Sequence, residues 1–148
     1  MISALKENAC KLFSFEIKIE IDYSTLREYY FQAVSNSSWA NEGYLVALRY
    51  SDDPSLIDEM RRLNNSFGIG FIRLNAANIE QSEILFASRF HKNVDWDTIN
   101  RLVEENADFA EFVKSVQEDI TVSNVKSNYD RVKEDDEYLN YVTEKKII

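Results

Sequence analysis

Residues 13–21 alternate between two kinds of side chain. Every second position is Phe or Ile, and the positions between them are polar. Because successive side chains of a strand point to opposite faces, this pattern predicts a strand over residues 11–21 with one apolar and one polar face. The apolar positions are Phe13, Phe15, Ile17, Ile19 and Ile21, and the polar ones are Ser14, Glu16, Lys18 and Glu20.

Helical and strand-like patterns then follow each other along the chain. Helices are predicted where apolar residues recur every three or four positions, and strands where short apolar runs lie between turn residues. Thr25 and Glu28 have the spacing of a capping box, which predicts a helix start at Thr25. Helices are expected over residues 26–37 and 55–67, the second between Pro54 and Gly68, and strands over 44–50, 69–74 and 84–87.

This order of elements predicts an α/β fold. A strand, a crossover helix and a second strand form a parallel pair, so we expect a mixed, largely parallel sheet flanked by helices. Residues 2–9 are expected to form a short helix or an irregular lead-in. The pattern becomes helical beyond Asp95, with helices expected over 96–106 and 108–121. Residues 122–148 form a charged tail in which one more helix is expected, so the C-terminal segment is helical.

Composition limits the chemistry that this chain could perform. A length of 148 residues fits one domain, and no stretch approaches the roughly 20 apolar residues of a membrane helix. The N-terminus lacks the pattern of a secretory signal, and the single Cys10 cannot form an internal disulfide, so we expect a cytoplasmic protein. One cysteine and one histidine, His91, cannot build a zinc site alone. Any metal would therefore be held by carboxylates, which favours magnesium or manganese.

The charge of the chain is acidic and unevenly spread. The formal net charge is -9, which argues against a whole surface that binds nucleic acid. Residues 91–124 hold 3 basic and 8 acidic side chains, whereas residues 1–90 hold 9 and 12. The first 90 residues could therefore still present a locally basic face toward DNA.

Glu16 and Lys18 form the most specific chemical signal. Positions i and i+2 of a strand share a face, so the carboxylate and the ammonium stand side by side. A metal-dependent nuclease needs this pairing, because the carboxylate binds the metal and the lysine stabilises the charge that develops on the phosphate. The same two residues are also what any solvated strand face can present. The amphipathic helix and the apolar strand that follow favour the nuclease interpretation.

Longer stretches resemble the HrgA-like family of restriction-associated bacterial proteins. The resemblance covers about residues 12–120 and is most specific over residues 32–42. It is carried by residues 15–21 (FEIKIEI) and 26–47 (LREYYFQAVSNSSWANEGYLVA), with further matches at Leu63, residues 67–70 (FGIG), residues 83–86 (EILF) and Asp95-Trp96. Members of this family resemble PD-(D/E)xK endonucleases, which implies a restriction-endonuclease-like fold. Residues 1–121 would then be a partial nuclease-like domain.

The resemblance implies roles for individual residues. Glu16 would be a metal ligand, Lys18 the catalytic lysine, and Gln32 a further residue of the catalytic groove. Asn36, Trp39 and Asn41 would bind substrate along the same groove, and the cofactor would be Mg²⁺ once the site is complete. Other readings stay open: Trp39 could pack at the end of the helix, and the two asparagines could be polar residues that end it.

One element of the family pattern has no counterpart in this sequence. Family members carry an aspartate, within a His-Pro-Asp type motif, on a strand ahead of the Glu-x-Lys strand. Residues 1–11 contain no aspartate. We therefore expect the C-terminal part of a restriction-type DNA endonuclease that is inactive alone. A homodimer, or an upstream domain or chain, would supply the missing strands.

Two other kinds of function remain possible from the sequence. The chain could be a non-catalytic interaction or scaffold protein of a restriction or defence system that keeps the nuclease fold. It could also mimic DNA, if its carboxylates were spaced like phosphates.

Overall fold

A computed structural model of the chain describes residues 10–148. The helix or lead-in expected over residues 2–9 lies outside the described residues. The strands are β1 Phe13–Ile21, β2 Glu42–Tyr50, β3 Gly70–Arg73 and β4 Glu83–Phe86. The α-helices are α1 Tyr23–Asn36, α2 Pro54–Phe67, α3 Trp96–Glu105, α4 Ala107–Val122 and α5 Asp135–Glu144, and a short 3-10 helix covers Ile79–Gln81.

The four strands form one sheet in the order β1-β2-β3-β4. β1 pairs with β2 and β2 pairs with β3 in parallel, whereas β4 is antiparallel to β3. This confirms the predicted α/β class and the mixed, largely parallel sheet. Among the strands of residues 10–148, β1 lies at one end of the sheet and has a neighbour on one side only.

The core lies between one face of this sheet and the helices α1 and α2. Apolar residues at helical spacing on both helices meet strand residues that point to the same face. The buried core residues include Leu26, Tyr30 and Ala33 of α1, Leu56, Met60 and Leu63 of α2, and Leu45, Ala47 and Phe71 of the sheet.

Tyr30 connects three elements of this core through its hydroxyl group. Its oxygen lies 2.9 Å from the carbonyl oxygen of Leu63 and 3.2 Å from that of Ile69, and the hydroxyl can donate a hydrogen bond to either of them. The same oxygen accepts a hydrogen bond from the Ile69 N–H at 3.2 Å. Burial raises the pKa of Tyr30 to about 12. The neutral phenol therefore joins α1 to the end of α2 and to the entry of β3.

Helix α1 begins earlier than the sequence pattern predicts. Its N-cap is Asp22, whose carboxylate accepts a hydrogen bond from the Thr25 N–H at 3.0 Å, while the Thr25 hydroxyl accepts one from the Asp22 N–H at 3.1 Å. The predicted capping box of Thr25 and Glu28 is therefore wrong by three residues. The short aspartate side chain reaches the free N–H groups of the first turn directly, so Tyr23 and Ser24 are already helical.

The predicted ends of α2 are confirmed. Asp53 is its N-cap and accepts a hydrogen bond from the Ser55 N–H at 2.9 Å, and Pro54 is its first residue. Gly68 ends the helix in the left-handed conformation, with φ of 76°. Only glycine adopts this conformation at little cost, which explains why the sequence identified this boundary so well.

The remaining helices continue beyond the sheet. The predicted helices of residues 96–106 and 108–121 are confirmed as α3 and α4, and the expected helix of the tail is α5. Trp39, just after α1, packs edge-on against Phe109 of α4 with ring centroids 5.2 Å apart. Within residues 10–148, none of the helices is both long and apolar enough to cross a lipid bilayer.

We predict that Tyr30→Phe lowers the free energy of unfolding by about 1–3 kcal/mol, because it leaves the Ile69 N–H without its hydrogen-bond acceptor and removes a buried hydrogen bond to the carbonyl oxygens of Leu63 and Ile69. Urea unfolding measures the difference. Tyr29→Phe is the matched control, since it removes a hydroxyl from the neighbouring, half-buried tyrosine and should change stability by less than about 0.5 kcal/mol. Equal effects of the two substitutions would contradict the role given to the Tyr30 hydroxyl.

Candidate functional site

Glu16 and Lys18 stand side by side on the face of β1 that α1 covers. The Lys18 ammonium lies 3.1 Å from Oε1 of Glu16, and the two side chains are 23% and 21% exposed. The Asn36 side chain, at the end of α1, donates a hydrogen bond from Nδ2 to Oε2 of Glu16 at 3.0 Å. Each carboxylate oxygen of Glu16 therefore has one partner, and the pair is half-buried between strand and helix.

The electrostatics of the pair favour an ionised carboxylate. The pKa of Glu16 is lowered from its ordinary value, and the largest cause is the hydrogen bond from Asn36. The hydrogen bond and the positive charge of Lys18 also lower this pKa, whereas burial of the carboxylate raises it. The Lys18 ammonium also lies 4.6 Å from the centre of the Tyr29 ring, a cation–π distance. Glu16 is thus held as an anion and Lys18 is held in a fixed direction.

Helix α1 supplies the other polar groups of this face. Gln32 and Asn36 are one helical turn apart, so they point to the same side of α1. Asn36 contacts Glu16, whereas Gln32 is half-buried one turn earlier. Glu28, one turn before Gln32, is exposed. The structure therefore brings together Glu16, Lys18 and Asn36, with Gln32 on the adjoining turn.

Trp39 and Asn41 do not contact the charged pair. The Trp39 ring packs on Phe109, as described above. Asn41 is buried, its Oδ1 accepts a hydrogen bond from the Leu12 N–H at 2.8 Å, and its Nδ2 donates one to the His91 carbonyl at 2.9 Å. Both ends of the Asn41 amide are thus engaged in joining three chain segments, which is a structural arrangement.

A buried carboxylate, that of Glu42, begins β2, and sequence reasoning missed it. Glu42 is 2.7 Å from the Lys11 ammonium and accepts a hydrogen bond from the Ser88 hydroxyl at 2.6 Å. These partners lower the pKa of Glu42, with the Lys11 bond as the largest cause. The only signal in the sequence was a glutamate at the head of an apolar run. Since its partners come from both sides, Glu42 ties the start of β1 to the segment after β4.

The charged pair does not form a metal site by itself. Across residues 10–148, no three His, Cys, Asp or Glu side chains converge as a metal ion would require. One carboxylate, already bound to an asparagine and a lysine, provides fewer oxygen ligands than Mg²⁺ uses. What the arrangement offers is an ionised carboxylate and a neighbouring ammonium on a strand whose outer edge pairs with no other strand of residues 10–148.

No family model, no curated protein and no solved structure matches this chain. The resemblance to the HrgA-like family therefore stays a prediction that rests on the quoted residues. The α/β class follows from the structure, and the restriction-endonuclease-like fold is a proposal. Function has to be argued from the site.

We predict that Asn36→Ala raises the pKa of Glu16 toward its ordinary value, because it removes the largest cause of the lowered value. Side-chain NMR titration measures this pKa. Gln32→Ala is the control, since the residue lies on the same helix face and should leave the pKa unchanged. An unchanged pKa in Asn36→Ala would contradict the assigned contact.

The same shift predicts how acid affects stability. Because the folded state lowers the pKa of Glu16, its stabilising effect is complete above the pKa of the unfolded chain and is lost as pH falls through the lower, folded value. In Glu16→Gln this part of the acid dependence should disappear. Urea unfolding at a series of acidic pH values measures it, with Glu20→Gln as the exposed control on the same strand.

Proposed function

We propose that this chain is the C-terminal part of a metal-dependent, restriction-type DNA endonuclease. Glu16 and Lys18 would form half of the site that hydrolyses the phosphodiester. The observation that supports this best is the ionised Glu16 beside Lys18 on an edge strand, held there by Asn36 of the following helix.

The open edge of β1 explains how the site would be completed. A strand added at this edge would place every second side chain on the face of Glu16 and Lys18. Directly opposite side chains of antiparallel neighbours have Cβ atoms about 4.5–5.5 Å apart, so an aspartate there would lie beside the charged pair. This is the place where the aspartate strand implied by the family resemblance would belong.

The chain's own residues have distinct tasks in this proposal. Glu16 and the added aspartate would hold Mg²⁺, which supplies Lewis-acid stabilisation of the phosphate when it is bound. Lys18 would donate a hydrogen bond to the water that attacks phosphorus or to a non-bridging oxygen that gains charge. A new P–O bond to the oxygen of the water forms as the P–O bond to the leaving sugar breaks; the water gives up a proton to the solvent, and the leaving oxygen takes one from it. Asn36 would keep the Glu16 carboxylate in place throughout.

The test is magnesium-dependent cleavage of DNA by two proteins. One is the 148-residue chain, and the other carries in addition the segment encoded in frame immediately upstream. We expect no cleavage by the chain alone and cleavage by the extended protein. Glu16→Gln and Lys18→Ala should each lower the rate of the extended protein by on the order of 10²–10³-fold, as losing a group that stabilises the transition state does.

Glu20→Gln is the control for the cleavage test. It removes an exposed carboxylate from the same strand and should leave the rate unchanged. Equal activity of the Glu16→Gln protein, or an extended protein without activity, would contradict the nuclease proposal.

A non-catalytic interaction protein is the second candidate. It is favoured by the incomplete ligand set and by the apolar side chains that β1 presents to solvent. Tight binding of a protein partner, together with the absence of cleavage in the extended protein, would support this role over the nuclease.

A further inference from the structure

The face of β1 that points away from α1 is apolar and exposed. Since Glu16 and Lys18 point toward α1, the alternate residues point away from it. Phe13, Phe15, Ile17 and Ile19 are 41%, 53%, 62% and 50% exposed. β1 ends the sheet, so the backbone groups on its outer side have no strand partner within residues 10–148. Long, apolar edge strands of this kind readily pair with another strand.

The charge order along β1 makes this edge complementary to itself. If two copies of β1 pair in antiparallel fashion with Ile17 opposite Ile17, position 16 of each copy lies opposite position 18 of the other. Glu16 then faces Lys18 of the second copy, and Lys18 faces its Glu16. Opposite charges directly across a strand pair stabilise it, whereas like charges destabilise it.

The apolar face fits the same register. Phe15 of one copy lies opposite Ile19 of the other, and the two Ile17 side chains meet at the centre. Aromatic and β-branched residues are favourable cross-strand pairs. A strand on the open side of β1 would bring the Ile17 side chain of the second copy against Ile17 and cover part of its exposed surface.

The amount of exposed apolar surface is large enough to matter. An aromatic side chain carries on the order of 200 Å², so four large side chains that are about half-exposed leave on the order of 350 Å² in one patch. This area is comparable to the largest apolar patch of a typical monomeric protein, which is often a functional surface.

We propose that β1 pairs with β1 of a second copy of this chain, antiparallel and across a two-fold axis at Ile17, to form a continuous eight-stranded sheet. This inference does not rest on the proposed nuclease function. It concerns the oligomeric state of the 148-residue chain without an added segment, because a strand that completed the nuclease site would occupy the same edge of β1. The interface is isologous, so each copy contributes the same residues to it.

The first test compares two isoleucines that are equally exposed on opposite edge strands. Ile17 and Ile84 are both 62% exposed, on β1 and β4. Sedimentation equilibrium should show a dimer for the chain and for Ile84→Lys. Ile17→Lys should dissociate at least about tenfold more readily, because two like charges meet at the two-fold axis. Circular dichroism of each variant verifies that it is folded.

The second test examines the register through charge reversal. Glu16→Lys places lysine opposite lysine, and Lys18→Glu places glutamate opposite glutamate, so each variant alone should be mainly monomeric. An equimolar mixture should form a heterodimer in which both facing pairs are again opposite in charge. The double variant E16K/K18E should dimerise like the original chain.

A cross-link provides the geometric readout. Facing residues of an antiparallel pair have Cα atoms about 4.5–5.5 Å apart, which a disulfide can span. In a Cys10→Ser background, Ile17→Cys should form a disulfide-linked dimer under mild oxidation, and Ile84→Cys should not.

Three results would overturn the proposal. They are a monomeric chain, a dimer that Ile17→Lys leaves intact, and single charge variants whose mixture does not associate. A monomer that gains a strand only when the upstream segment is added would show that this segment, and not a second copy, occupies the edge.

Discussion

The pairing of β1 with β2 is the contact on which the other features of this protein depend. In the part of the chain that the structure describes, β1 has one strand neighbour, and α1 packs across one of its faces. This arrangement places Glu16 and Lys18 beneath α1, where Asn36 and Tyr29 hold them. It also turns the apolar side chains to solvent and leaves a backbone edge that no strand of residues 10–148 occupies. The charged pair and the apolar surface are thus two consequences of one placement.

Much of the fold followed from local patterns in the sequence. The left-handed residue after α2 had to be glycine, and Pro54 marked the start of that helix, so both ends were predictable. The start of α1 was not, because Asp22 and Thr25 can each cap a helix and only the surrounding packing decides between them. Alternation along β1 showed which residues share a face, but it does not specify which face a helix will cover.

The candidate site was predictable to a similar degree. Strand parity correctly placed Glu16 beside Lys18, whereas Asn36 was expected near them only through the family resemblance, and the structure shows its contact with Glu16. Trp39 and Asn41 are close to Asn36 in sequence, yet the chain leaves the helix before them and they meet other partners. Sequence proximity beyond the end of a helix does not imply a shared site.

α1 covers the face of β1 that carries Glu16 and Lys18. The ionised pair and the exposed apolar face both follow from this orientation of the strand. Nuclear Overhauser contacts from the Tyr29 ring protons measure it directly in solution. We predict contacts to the Lys18 side-chain protons and none to the methyl groups of Ile17 or Ile19. Contacts from the Tyr29 ring to those methyl groups would mean that β1 is turned over, which would contradict both the site and the proposed dimer.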